Sequence, residues 1–270
     1  MFESFREQID EQNDRYERLV KLSRDLTIQS KRIIFLLHRV AASPGGKSNE
    51  TNASSNQEIP PVDPVRQAEL RAAQQARQKF ETLRPLFAKI AAELEGQELE
   101  RFDRAISPGL QEFLEALSFT HYLEHGILIT YPQVLAFLEN IPMSREDYLL
   151  GVSDLSGELM RFAISAASMV GGRKAKVAEV CRFVRACSGG WEPLTPYVRG
   201  LGKKQHVTIE SLKKIETAAY AIAVRGAEYP DAELQGIFID SIGRRGGDED
   251  DDGRRFGGGR QRHDDDDYMD

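Results

Sequence analysis

Residues 151–167 read GVSDLSGELMRFAISAA, and how this stretch is read decides the fold. Together with the turn before it, Tyr148, Val152, Leu155, Leu159, Phe162 and Ala166 recur at steps of four and three, which makes one continuous apolar face of an α-helix. The same stretch puts Asp154 and Glu158 one turn apart on the flank of that face, with Gly151 and Gly157 beside them. Glycine is a poor helix former, so a pair of them predicts that something packs close against this backbone. A second segment, LQEFLEALSF (110–119), repeats the arrangement: Leu110, Phe113, Leu114 and Leu117 pack, while Glu112 and Glu115 share an adjacent edge.

Outward from these two segments, helical spacing continues nearly everywhere, and alternating strand patterns bounded by hairpin turns are absent. The expected class is all-α. A first long helix is expected over about 2–42, with Leu19, Leu22, Leu26, Ile33 and Leu37 as its inward stripe. A second is expected over about 63–94. A short helix over 97–106, halted by Pro108, then precedes one over 109–125 and a weak segment at 131–139. Ser144, three residues before Asp147, predicts a capped start for a helix of about 145–169. Gly171 and Gly172 are expected to stop it. Helices at about 173–187 and 207–226 follow, separated by a turn at Ser188, Gly189 and Gly190 and a shorter piece around Trp191, which reads as a helix-junction anchor.

Two stretches break the pattern. SPGGKSNETNASSNQEIPPV (43–62) has no apolar periodicity and reads as a mobile connection inside a helical domain of residues 1–240. Residues 241–270 are blocks of Gly, Arg and Asp with almost nothing to bury, so this acidic tail is expected to be disordered. Its Arg/Gly part admits a second reading, an RNA-contact or interaction segment, which the acidic blocks oppose.

The formal charge is −7 over 270 residues, and residues 243–270 hold ten Asp/Glu against six Arg, −4 of that total. The near-neutral remainder argues against strong non-specific nucleic-acid binding while leaving room for a local basic patch. No run is long and apolar enough to span a bilayer, and MFESFREQIDEQNDRYERL lacks the apolar core of a secretion signal. A soluble intracellular protein is expected. Cys181 and Cys187 lie six residues apart, roughly 9 Å of helical rise, too far for a disulfide and at no zinc-motif spacing, so both read as packed thiols.

Two acidic edges, each bordering an apolar face, converge when their helices pack side by side. Four carboxylates at one seam repel one another, and a hard divalent cation relieves that repulsion. An all-oxygen site favours Mg²⁺ or Mn²⁺ over zinc or copper. Such an ion can polarise a phosphodiester and lower the pKa of an attacking water. The plainer reading is two solvated helix faces, with Arg161 three residues after Glu158 as a surface ion-pair partner. A di-iron site is disfavoured, because neither Glu112 nor Glu115 has a histidine three residues on.

The stretches RYERLVKLSRDLTIQSKRIIFLLHRV (15–40), GLQEFLEALSFTHYL (109–123), DYLLGVSDLSGELMRFAI (147–164) and AAYAIAVRGAEYP (218–230) closely resemble the translin-associated factor X branch of the translin family, in order, over roughly residues 10–240. The linker looks enlarged, the segment between 125 and 144 looks short, and the acidic tail is extra. The basic nuclear-targeting segment expected ahead of the first helix is absent, so the cytoplasm is the expected compartment and the nucleus a secondary one.

The resemblance implies a seven-helix-type subunit that assembles with translin into a closed hetero-oligomeric shell. It implies a Mg²⁺-dependent endoribonuclease on single-stranded RNA, active in small-RNA passenger-strand removal or tRNA fragment processing. The family's acidic residues fall on Glu112, Glu115, Asp154 and Glu158, all present here. Glu115 and Glu158 are expected as direct metal ligands, Asp154 as a ligand or water-orienting group, and Glu112 as a positioning group or base. Lys21, Lys31, Arg32 and Arg39 on the first helix are candidate RNA-phosphate contacts, and His38 beside them reads as packed or solvated. The alternative function is a helical scaffold or RNA-binding partner that stabilises translin and does no chemistry.

Overall fold

The computed structural model describes residues 2–43, 63–167 and 174–225. Among them are eight α-helices and no strand: α1 (Phe2–Ala41), α2 (Pro64–Glu81), α3 (Arg84–Leu94), α4 (Leu99–His125), α5 (Tyr131–Leu138), α6 (Arg145–Ala167), α7 (Lys174–Trp191) and α8 (Leu201–Arg225). The all-α class is therefore as expected. Most of the 43–62 connection, Gly171 and Gly172, residues 226–240 and the 241–270 tail lie outside the described residues.

Three boundaries differ from the sequence expectation, each for a local reason. The helix expected over 63–94 is two helices, because Pro85 cannot donate to the carbonyl of Glu81 and its ring crowds it. Asp63 starts α2 by accepting from the Val65 N–H at 3.0 Å, and Pro85 sits in the first turn of α3. The turn expected at Ser188–Gly190 is helical, and α7 runs on to Trp191, which is buried at the junction with the 3₁₀ turn Glu192–Leu194. That turn leads into α8, which starts at Leu201 rather than near 207.

The third difference matters most for the site. Pro108 does not end a helix but lies inside α4. An internal proline removes one backbone bond and strains its neighbours, and here α1 supplies the repair. The Ser23 hydroxyl accepts from the Gly109 N–H at 3.0 Å and donates to the Ile106 carbonyl at 3.4 Å. Gly109 permits this contact: a Cβ there would lie 2.6 Å from the Ser23 carbonyl oxygen. The longest helix and the site-bearing helix are thus locked in register at one point.

Around that point α4 packs along α1, α2 and α6, while α6 and α7 pack on α8. Phe113 meets Phe80, Phe87 and Phe137 at ring-centroid distances of 5.6, 5.0 and 5.6 Å, joining α2, α3, α4 and α5 in one aromatic cluster. The stripe on α1 is buried at Leu19, Leu26, Ile33 and Leu37, with Leu22 partly so, and on α6 it is buried from Val152 to Ala166, with Tyr148 at its edge. At the start of α6 the Ser144 hydroxyl accepts from the Asp147 N–H at 2.9 Å, the expected cap.

The two α6 glycines separate in role. Gly151 does meet a close neighbour, since a Cβ there would sit 2.9 Å from the Leu114 side chain of α4, whereas Gly157 faces open space. The expectation of close packing holds for the first and fails for the second. Both cysteines carry free thiols. Arg15 and Arg18 tie α1 to α3 through Glu93, with Arg18 Nε 2.8 Å from the Glu93 carboxylate. Among the described residues no helix is long and apolar enough to cross a membrane.

Candidate functional site

Close approach of α6 to α4 at Gly151 and Leu114 sets the two acidic edges against each other. Glu112 and Glu115 come from α4, Asp154 and Glu158 from α6. Their convergence is visible at Glu115, whose carboxyl is pushed up to about 8. Burial is the largest cause, followed by the charges of Glu158, Asp154 and Glu112, with Arg161 opposing. All four predicted acids therefore share one electrostatic site.

Three of the four already have a cation. Lys31 of α1 approaches Glu112 at 3.2 Å, and Lys204 of α8 donates to both oxygens of Asp154 at 2.6 Å. Glu158 is only 5% exposed and accepts from two sides, from Arg161 one turn along α6 and from His38 Nε2 of α1 at 2.6 Å. The His38 ring stacks on Phe119, centroids 4.9 Å apart, which orients it toward the carboxylate. A carboxylate oxygen accepts, so Nε2 is the ring nitrogen that carries the proton in this bond. Among the described residues Glu115 has neither an ion pair nor a side-chain hydrogen bond. With their present partners the acids stand apart: no three of their oxygens lie within 4.8 Å of one another.

The plainer expectation of solvated faces fails at Glu158, which is buried, although its pairing with Arg161 is as that reading foresaw. His38 is neither simply packed nor solvated, because it joins the site. Lys204 was also missed, since the helix that carries it was expected to start three residues later. A signal for His38 did exist: it lies seven residues after Lys31, two turns along the same helix face.

Of the candidate RNA contacts, Lys31, Arg32 and Arg39 line one groove with Lys79 of α2 and the exposed ring of Phe35, a cavity of about 530 Å³. Lys21 does not reach it. That side chain is exposed and lies 3.9 Å from Glu17, and ten residues of helix place it roughly 15 Å along α1 from Lys31. Lys31 belongs to both places, bordering the groove and holding Glu112.

A helical bundle with a half-buried acidic seam bordered by a basic groove is the class of protein that this fold defines. Its fold matches the solved structure of apo-NeC3PO with a TM-score of 0.59 at 16% identity, over 81% of this chain and 95% of that one. It also matches the structure of an AfC3PO–duplex RNA complex with a TM-score of 0.56 at 18% identity, over 84% and 99%. The chain belongs to the translin family, whose profile matches residues 14–226. It is 35% identical over 265 residues to translin-associated protein X of Rattus norvegicus, covering 88% of this chain and 82% of that one. Identity to the translin-associated protein X homolog of Schizosaccharomyces pombe is 31% over 235 residues, covering 84% and 89%. Translin of Gallus gallus is 28% identical over 160 residues, covering 57% and 69%.

Proposed function

We propose that this chain is the catalytic subunit of a metal-dependent endoribonuclease formed with translin, cutting single-stranded RNA in small-RNA passenger-strand or tRNA fragment processing. The observation that carries the reading is Glu115, a half-buried carboxyl that has no ion-pair partner among the described residues and whose pKa is raised by burial and by three neighbouring acids. A group so placed weakens the fold unless something positive compensates it. Buried charge clusters of this kind are where proteins concentrate binding and chemistry.

The donors fit a hard divalent ion, Mg²⁺ or Mn²⁺, because they are all carboxylate oxygens. Glu115 and Glu158 would hold it, with Asp154 beside them, and the bound ion would supply charge stabilisation at the phosphodiester and a more acidic water. The chain's own groups do the rest. His38 and Arg161 fix the Glu158 carboxylate so that its orientation costs nothing at the moment of binding. Glu115 must release its proton for the ion to bind, so binding is favoured as pH rises toward about 8. Glu112, whose partner Lys31 borders the basic groove, would orient water or take its proton. Arg32, Arg39 and Lys79 give a backbone phosphate a track leading to the seam, and Phe35 gives a base a ring to stack on.

Partnership with translin rests on kinship to translin-associated protein X and on an apolar row at the start of α1. Phe2, Phe5 and Ile9 are exposed and share one face of a helix that projects past its Arg15–Glu93 anchor. An RNA ligand is supported by the AfC3PO neighbour, which is a complex with duplex RNA. One observation favours the scaffold alternative: Glu112, Asp154 and Glu158 are already neutralised by protein cations, as in a structural seam.

The deciding experiment is cleavage of labelled single-stranded RNA by the translin co-complex, with and without Mg²⁺, beside the Asp154→Asn, Glu158→Gln double variant. Mg²⁺-dependent cutting that disappears in an intact variant oligomer is expected. Equal cutting in both, or none in either, would transfer the function to the scaffold reading.

A further inference from the structure

We propose that the last turn of α4 is a second, chemically distinct metal site, in which His121, Glu124 and His125 bind a borderline transition-metal ion of the Zn²⁺ class. The pattern is HYLEH, residues 121–125. Positions i, i+3 and i+4 fall on one side of a helix. One donor atom from each of the three side chains lies within 4.8 Å of the other two. The two imidazole rings are 4.5 Å apart between centroids, tilted by 54°.

An ordinary histidine pair at a helix end would be solvated or hydrogen-bonded. His121 is neither. It is 5% exposed, and its Nε2 is buried with no hydrogen-bond partner. A buried ring nitrogen left unpaired is costly, and native structures seldom carry one without a reason. A metal ion is a partner that a lone pair on such a nitrogen can take.

The surroundings hold the carboxylate and the backbone that carries the three donors. Arg77 of α2 donates from Nε and a terminal nitrogen to the two Glu124 oxygens at 2.9 and 2.5 Å, leaving each oxygen a further lone pair. Arg66 closes the backbone below by donating to the carbonyls of Leu123 and Glu124 at 2.6 and 2.5 Å. Gly126 then ends the helix in the left-handed conformation, φ 71°, its N–H bonded to the Tyr122 carbonyl at 2.8 Å. Ligating carboxylates held by a second ring of donors are the usual build of a protein metal site.

Two imidazoles and one carboxylate select Zn²⁺, and equally Ni²⁺ or Cu²⁺, over Mg²⁺, which prefers oxygen and water. The all-oxygen seam has the opposite preference, although Glu115 lies only six residues from His121 on the same helix, roughly 9 Å of rise. The H-x-x-E-H spacing also occurs in zinc peptidases, where the glutamate is a free base. Here Arg77 engages both Glu124 oxygens, so the site is a metal staple on the last turn of α4, with no hydrolytic role.

The test is Zn²⁺ binding to the purified full-length chain in its translin co-complex, read by competition against a chromogenic chelator, with Co²⁺ substitution as a spectroscopic probe. One Zn²⁺ per chain is expected in the wild type, with visible Co²⁺ absorption typical of nitrogen ligation. His125→Ala, at an exposed position, should weaken binding by at least about tenfold with helical content unchanged. A variant with all four seam acids neutralised should keep it. Binding undiminished in His125→Ala, loss in the seam variant, or a Co²⁺ spectrum of a fully hydrated ion would each overturn the proposal.

Discussion

Replacing Glu115 with Gln tests the acidic seam without any activity assay. In the metal-free protein the folded-state pKa of Glu115 is about 8, against 4.5 for an unperturbed glutamate. Between those values the folded state holds a proton that the unfolded chain has lost, so raising the pH favours unfolding. The penalty is absent below about pH 4.5, grows at about 1.4 kcal/mol per pH unit and levels off above about pH 8. Glutamine keeps the shape and cannot ionise. The stability gap between variant and wild type should therefore widen by about 2 kcal/mol from pH 5.5 to 7, or about 4–8 °C in the midpoint for a domain of this size. Thermal melts of both proteins at the two pH values, followed by circular dichroism, read this directly. Added Mg²⁺ should then raise the midpoint of the wild type and leave the variant where it was. A gap that stays constant with pH would refute the burial and crowding of Glu115 on which the site rests.

Two further outcomes follow from named contacts. Gly109→Ala should destabilise the protein by about 3 kcal/mol or more, because its Cβ would meet the backbone of Ser23, whereas Gly157→Ala, facing open space, should be neutral or stabilising by about 0.5–1 kcal/mol in chemical denaturation. Arg32→Ala and Arg39→Ala should each weaken single-stranded RNA binding and flatten its salt dependence by about one unit of slope, while Lys21→Ala should leave the slope unchanged in a fluorescence titration across salt concentrations.

The helices of this chain were legible because their apolar stripes are periodic, and α1 and α6 lie nearly where that periodicity puts them. The errors sit where a tertiary contact overrides a local rule. Pro108 is a strong stop sign in sequence, and only the Ser23 hydroxyl, more than eighty residues away in the chain, lets α4 continue through it. Gly189 and Gly190 look like a turn, yet Trp191 anchors the helix beyond them. At the site the acids could be singled out by spacing, since i, i+3 and i, i+4 pairs beside an apolar face are visible in one dimension. Their counter-ions could not be, because Lys31, His38 and Lys204 reach the seam from two other helices. Which acid lacked a cation was decided entirely by packing.

The Ser23–Gly109 lock also sets how this site can change over time. Glu112 and Glu115 lie three and six residues beyond the lock, so their direction is counted from it. Exchanging side chains along that interval leaves the count intact. Adding or deleting one residue turns everything downstream by about 100°, carrying the acids away from α6 and swinging apolar neighbours into their place. The length of the interval from Gly109 to Glu115 is therefore held fixed, and a relative that had lost a residue there would forfeit the seam.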